Sequence, residues 1–234
     1  MNSVKLGVIG GMGPEATVDF YHRIIKHTVA SRDQEHIDMI ILNHASIIDR
    51  TYAIKNGLEQ ELLNNLKQDI KILENASVNH IAITCNTCHT ILDKIQSLTS
   101  IPIINMVEET VQYIAQHKSN YKKIGLMATD GTILSGMYQK WFDTYGLSLH
   151  APQKDVQSQI MDIIYQDIKT RGIYDKEKFQ KVLTYFLQSG CDHVILGCTE
   201  LSGFKQPFNA YSIDPMDYLV KACIEKSGKT YQEY

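Results

Sequence analysis

The chain has 234 residues, 44% hydrophobic and 21% charged, with a formal net charge of −3. That is enough chain for one large globular domain or two small lobes, and it carries no basic footprint for nucleic acid or an anionic membrane. No apolar run approaches the ~18 residues of a membrane span, and Met1-Asn2-Ser3-Val4-Lys5 leads straight into a strand with no signal peptide, which points to a cytoplasmic protein.

Val4–Ile9 is a short apolar run and predicts a buried first strand. Gly10-Gly11-Met12-Gly13-Pro14-Glu15 comes next: glycines for a tight turn, then Pro14 and Glu15, which suit the first turn of a helix. That helix is predicted to about Val29, with Phe20, Ile24 and Ile25 on one face. Ile37–Leu42 reads as a second strand, Asn43–Tyr52 as a polar loop holding Asp49-Arg50, and Leu58–Leu73 as a helix with an apolar stripe. His80–Thr84 predicts a buried strand that runs into Cys85, and Thr87–Leu98 a helix after it. A short strand at Ile101–Ile104 and a helix at Met106–His117 complete this half.

The pattern then restarts. Lys122–Thr132 echoes Val4–Gly13, an apolar strand ending in a Gly-bearing turn, with a helix at about Ile133–Tyr145. A strand near Leu147–His150 and helices at Gln157–Thr170 and Asp175–Gln188 lead to His193–Gly197, which runs into Cys198. Ala210–Ile213 is a last strand and Pro215–Ser227 a last helix, which crosses back to the first lobe. Strands alternating with helices predict an α/β fold: two pseudo-symmetric lobes, each a mainly parallel sheet flanked by helices, with an active site in the cleft between them. Residues 1–105 and 208–234 make the first lobe and 106–207 the second.

The two cysteine strands carry the chemistry. His80-Ile-Ala-Ile-Thr-Cys-Asn-Thr87 and His193-Val-Ile-Leu-Gly-Cys-Thr-Glu200 each end in a cysteine followed by helix-starting residues. Each thiol is therefore expected at the carboxyl end of a strand, where open α/β sheets bind ligands, and at a helix N-terminus, which favours thiolate over thiol. Two opposed thiols suit inversion at a C–H centre: one thiolate removes a proton and the other thiol delivers one to the opposite face. The competing reading makes both cysteines small buried core residues.

The five cysteines (85, 88, 191, 198 and 223) should be mostly reduced in a cytosol. Cys85-Asn86-Thr87-Cys88-His89 also spells Cys-x-x-Cys-His. Its other readings are haem attachment, which needs export and an exposed, loop-rich chain, a thioredoxin-like pair, which leaves the second cysteine strand unexplained, and a structural zinc, which lacks a second close pair of ligands. Cys191 and Cys223 read as filler, and His80 and His193 as strand-start residues away from the site. His89, one turn from Cys85, either tunes a thiolate or caps and packs. The Gly10–Gly13 loop matches neither a dinucleotide nor a Walker pattern, but backbone N–H groups at such a helix start can hold a carboxylate. Arg50 can grip a carboxylate bidentately, and Lys169 suits a helix C-terminus.

At these residues the chain resembles the aspartate/glutamate racemase family, and within it the aspartate racemases. The matching pieces are Ile9–Thr17, Asp49-Arg50-Thr51, Cys85-Asn86-Thr87, Ala128–Thr132 and Leu196–Leu201, in this order and spanning essentially the whole length. The resemblance implies a cofactor-independent, homodimeric racemase of two pseudo-symmetric lobes, needing no metal. Cys85 and Cys198 are then the two acid/base residues. Met12, Gly13, Asn86, Thr87, Thr199 and Glu200 belong to substrate binding around the α-carbon, Arg50 and Lys169 take the side-chain carboxylate, and Thr129 is a further contact. The small-molecule substrate is aspartate, with glutamate the near alternative; one methylene is worth only ~1–3 kcal/mol of discrimination. Maleate-type cis–trans isomerisation and a non-catalytic amino-acid-binding protein are the other classes. Cys88 departs from the family's more usual Ala, and a Cys85–Cys88 disulfide that silences the enzyme under oxidation is the hypothesis this departure suggests; equal activity and equal free-thiol counts in oxidised and reduced protein remove it.

Overall fold

The computed structural model describes residues 5–117 and 121–233. The Met1–Val4 segment, including the expected strand start at Val4, lies outside the described residues. Among the described residues no helix is long and apolar enough to cross a membrane. The chain divides into two compact units. One holds residues up to Met106 and from Met216 on, the other Val107–Pro215.

The first unit is built on β1 (Leu6–Gly10), β2 (Met39–Asn43) and β3 (His80–Ile83), in the order β2-β1-β3. Both pairings are parallel, with Leu6 opposite Met39 and His80, and Ile9 opposite Leu42 and Ile83. β1 is buried along its whole length, as a central parallel strand covered on both faces must be. Its side chains alternate between two layers. Leu6 and Val8 pack with Ala16, Phe20 and Ile24 of α1 (Pro14–His27), and with Met216, Leu219, Val220 and Ile224. The last four belong to the chain's final helix, Pro215–Lys226. Ile9 packs the other way, with Leu62, Leu66, Ile70 and Leu73 of α3 (Glu59–Asn75), which comes after the short α2 (Arg50–Lys55). A Cβ on Gly7 would come within 2.9 Å of Leu73, so α3 lies close on that face. Truncating one of these leucines to Ala would cost ~2–5 kcal/mol.

Past β3 the chain makes a 3₁₀ segment, Thr87–Ile91, before a single α-turn, α4 (Leu92–Gln96), and then α5 (Met106–Gln116). The expected regular helix over 87–98 is broken because His89 N bonds back to Asn86 O at 2.9 Å and the Thr90 hydroxyl takes the Thr87 carbonyl at 2.8 Å. The expected strand at 101–104 is reduced to one parallel bridge, Ile81 to Ile103. Ile25 is 42% exposed, one step off the buried face of α1.

The second unit repeats the plan. It contains β4 (Ile124–Ala128), α6 (Asp130–Ser135), α7 (Met137–Tyr145), β5 (Leu149–His150), α8 (Lys154–Asp162), α9 (Lys176–Gln188), β6 (His193–Gly197), the short turn α10 (Lys205–Phe208) and β7 (Ser212–Ile213). α11 is the final helix already placed in the first unit. The strand order is β5-β4-β6-β7, again parallel, with Ala128 opposite Gly197. β5-β4-β6 reproduces β2-β1-β3, and β7 stands where the Ile81–Ile103 bridge stands in the first unit. Because β7 pairs with β6, residues 208–215 go with the second unit, not with the first lobe as expected from the sequence. Met127, Val194 and Leu196 pack with Val182, Leu183 and Phe186 of α9.

Two helices differ from expectation. The one over 133–145 is split by Gly136, in the left-handed conformation at φ +64°. The one over 157–170 starts earlier, and from Ile163 to Thr170 it widens into π geometry. Asp167, buried in that segment, is held by Arg171 and, at 2.9 Å, by Lys178.

Candidate active site

In a parallel sheet of order β2-β1-β3 the chain leaves β1 and β3 toward opposite faces, and the carboxyl ends of those two strands form the binding edge. In the first unit that edge is made by the Gly10–Gly13 turn and by Thr84-Cys85. Gly11 has φ +88°, and a Cβ there would sit 2.5 Å from the His44 carbonyl carbon, so only glycine fits. The Gly11 N–H donates to Thr17 Oγ1 at 2.9 Å, and Thr17 Oγ1 lies 3.4 Å from Thr84 Oγ1. Thr17 thus ties the glycine turn to the cysteine strand. The Met12–Gly13 peptide is cis. Met12 is buried, and its sulfur accepts from Cys88 Sγ at 3.4 Å.

Cys85 is buried to 5% exposure. Beside it stands Arg50, expected from the sequence in a loop. Asp49 instead caps α2 by accepting the Tyr52 N–H at 2.9 Å, and Arg50 is the helix's first residue. Its Nη1 donates to the Ile47 and Ile48 carbonyls, both at 3.4 Å, while its buried Nε has no hydrogen-bond partner among the described residues. Burial works against the guanidinium charge, but the sulfurs of Cys85 and Cys88, with Asp49, outweigh it and hold Arg50 firmly protonated. A cation in contact with a thiol favours the thiolate. The hydrogen bond to Cys85, then burial, push the Cys88 thiol well above its ordinary range, so of this pair Cys88 keeps its proton. Asn86 and Thr87 are buried in the 3₁₀ turn beyond it.

His89 is resolved in favour of packing. Its Nδ1 lies 2.8 Å from the Cys85 carbonyl oxygen and its Nε2 accepts the Met106 N–H at 3.2 Å. Nδ1 is therefore the protonated nitrogen, and burial keeps the ring neutral by lowering its pKa. His80 and His193 open β3 and β6, at the far end of each strand from the cysteines.

In the second unit the equivalent edge holds Thr129, just past β4, and Cys198, just past β6; their predecessors Ala128 and Gly197 are paired. Thr129 caps α6, accepting the Thr132 N–H at 3.4 Å. Cys198, also 5% exposed, leads into a 3₁₀ segment, Thr199–Phe204, instead of a regular helix. Its Sγ donates to Glu200 Oε2 at 2.8 Å, the Thr199 hydroxyl reaches the same oxygen at 3.5 Å, and Lys169 Nζ lies 3.5 Å from Glu200 Oε1. Lys169 also sits 4.5 Å from the Tyr165 ring centroid. The expected thiolate-favouring setting is overturned here. Burial and then the Glu200 charge push the Cys198 thiol well above its ordinary range, with Lys169 acting against them.

Two neighbours escape a reading of the sequence. Tyr138 of α7 is fully buried, and burial followed by the charges of Asp214 and Cys198 holds its phenol well above the usual range. Asp214 lies just past β7 and accepts from Ser202 Oγ at 3.0 Å. Asp214 carries one signal, a polar residue at a strand's carboxyl end; Tyr138 looks like any apolar-face aromatic. Among the described residues no group of three or more His, Cys, Asp or Glu side chains is placed to hold a metal ion.

Known proteins are similar over the same span. A family profile described as Asp/Glu/hydantoin racemase matches residues 9–223. The broad specificity amino-acid racemase RacX of Bacillus subtilis is 28% identical over 235 residues, covering 98% of this chain and 99% of its own. A glutamate racemase of Hydrogenobaculum is 25% identical over 178 residues, covering 75% of this chain and 65% of its own. Among solved structures, Picrophilus torridus aspartate racemase superposes with a TM-score of 0.84 at 27% identity, covering 98% of this chain and 96% of its own. With residues 9–223 matched, most of both units, this chain belongs to the Asp/Glu/hydantoin racemase family and is an amino-acid racemase of the pyridoxal-phosphate-independent kind.

Proposed function

We propose that the protein interconverts L- and D-aspartate by two-base proton transfer at the α-carbon, with Cys85 and Cys198 as the acid/base pair. The observation that carries this reading is the equivalence of the two thiols. Each is buried at the carboxyl edge of a central parallel sheet, past strands that hold the same place in the same topology. In the reaction one thiolate takes the α-proton from one face, and the opposite thiol delivers its own proton to the other. The acidity of the α-carbon is the physical difficulty, and cations and N–H dipoles aimed at the carboxylates would stabilise the developing carbanion. Arg50 and Lys169 supply the charge in this reading, and Asn86, Thr87, Thr129, Thr199 and the Met12–Gly13 backbone supply the polar contacts.

A broader substrate range is the second reading, favoured by the near full-length similarity to a broad specificity racemase. The deciding experiment is proton NMR of the reduced protein with L-aspartate in D₂O, without added pyridoxal phosphate. Loss of the α-proton signal, with D-aspartate found by chiral chromatography, is the expected result. No exchange with aspartate but exchange with glutamate or another amino acid would move the assignment to the broader reading. The same reading carries a homodimer, for which light scattering of the purified protein should give twice the chain mass.

A further inference from the structure

We propose that Glu200 is a positioning residue for Cys198: its carboxylate holds the proton on the Cys198 sulfur in the resting protein, so that Cys198 enters the cycle as the acid and Cys85 as the base. This rests on the two-thiol reading above and assigns the two cysteines unequal starting states.

The geometry is specific. Glu200 Oε2 receives the Cys198 S–H at 2.8 Å and the Thr199 hydroxyl at 3.5 Å, while Oε1 faces Lys169 Nζ at 3.5 Å. Among the described residues the charged and titratable groups that act on Cys198 are Glu200 on its own turn and Lys169 from the π-helical segment, and Tyr138 of α7 feels the charges of both Cys198 and Asp214. Of these only Lys169 favours a thiolate, and its charge is shared with Glu200. The resemblance assigns Glu200 to substrate binding. A carboxylate already committed to a thiol and a lysine, and of the same sign as a dicarboxylate substrate, is better placed to govern the thiol than to hold the substrate. Cys85 has the opposite surroundings, with the Arg50 guanidinium against its sulfur.

The protons balance over a full cycle. At rest Cys85 is thiolate and Cys198 is thiol. The substrate α-proton moves to the Cys85 sulfur and its C–H electron pair stays on carbon. The Cys198 S–H bond then breaks and that proton joins the opposite face of carbon. The protein is left with a Cys85 thiol and a Cys198 thiolate facing the Glu200 carboxylate. Water returns a proton to Cys198 and takes one from Cys85, which restores the resting state without net change. Enantiomers have equal free energy, so kcat/KM must be equal in the two directions. The bias therefore shows as a matched excess of both kcat and KM for the enantiomer that needs the reversed protonation state.

The test is the pH dependence of alkylation at Cys198 by iodoacetamide, read by peptide mass spectrometry in a Cys85→Ser background. Gln at position 200 removes the charge and can donate an N–H to a thiolate, so Glu200→Gln should move the Cys198 midpoint to lower pH by about one unit or more. Lys169→Met should move it to higher pH. Glu200→Asp, a smaller change that guards against misfolding of the Gln variant, should move it down by less. In the otherwise unaltered protein, Glu200→Gln should bring the KM values of the two enantiomers toward each other. A Cys198 midpoint unchanged in Glu200→Gln and Glu200→Asp protein with native circular dichroism would overturn the assignment. Alkylation does not depend on turnover, so the outcome stays readable even if aspartate is not racemised.

Discussion

His89 is bonded to the backbone of the residue that its spacing would have it tune: its Nδ1–H meets the Cys85 carbonyl at 2.8 Å, and its other nitrogen takes the Met106 N–H. A ring used at both ends on main-chain groups positions the 3₁₀ turn behind the thiol and does no proton chemistry itself. It also sets a pH limit on stability. Burial lowers the His89 pKa, and lowers those of His80, His150 and His193 as well. The unfolded chain therefore binds more protons than the folded one below the ordinary histidine pKa of about 6.5. Their contribution is fully present above that pH and is lost as pH falls toward the lowered folded values. The melting temperature should drop on the acid side of about pH 6.5, and His89→Gln, which can still donate and accept but cannot titrate, should flatten that slope. An acid slope that is the same in both proteins would show that His89 is not its source.

Arg50 is the cation in contact with Cys85, and its neighbours keep it charged despite burial. Arg50→Met should raise the pH at which Cys85 becomes alkylated and lower kcat/KM for racemisation by ~10²-fold or more, the usual consequence of losing one preorganised charge. Arg50→Lys keeps a point charge but loses the planar fork, so it should recover only part of the loss. Full activity in Arg50→Met would remove Arg50 from both thiol and substrate.

Two glycines with positive φ separate local strain from steric closure. Gly11 combines φ +88° with the His44 backbone 2.5 Å from where a Cβ would lie, whereas Gly57, at φ +69°, faces open space. Gly57→Ala should cost only ~1 kcal/mol of unfolding free energy, the conformational term alone. Gly11→Ala must also displace backbone and should cost ~3 kcal/mol or more, with loss of activity because the turn beside Cys85 moves. Denaturant unfolding of both variants checks the difference; equal costs would mean that the β2 end yields freely.

The strands that carry the thiols are legible in the sequence because a parallel strand buried on both faces is a continuous apolar run rich in β-branched residues, and Ile81-Ala82-Ile83 and Val194-Ile195-Leu196 are such runs. The repeat is legible for the same reason, since Lys122–Thr132 echoes the start of the chain. The turn after each cysteine is not. Whether Thr87 or Thr199 opens an α-helix or a 3₁₀ turn depends on local bonds such as that of His89, which no periodicity reports. Arg50 looks like a loop residue because α2 is only six residues long. The pairing of Lys169 with Glu200 brings together distant segments through a π-helical turn, and nothing in the spacing of either residue announces it.

Serine in place of either cysteine keeps the size of the side chain but offers a hydroxyl that does not ionise near neutral pH. Cys85→Ser and Cys198→Ser should each lower racemisation by ~10²–10⁴-fold, the range for losing a positioned acid or base. The residual chemistry should not be symmetric. In Cys198→Ser the thiolate at Cys85 still has Arg50 beside it and can remove and return a proton on one face, so α-proton exchange of a single enantiomer should persist in D₂O without inversion. In Cys85→Ser the remaining thiol is held protonated against Glu200, so exchange of the other enantiomer should be weaker. Deuterium incorporation into L- and D-aspartate, measured separately with both variants, reads this directly. Equal residual exchange would remove the inequality of the two thiols, and full racemisation by either variant would end the two-thiol mechanism itself.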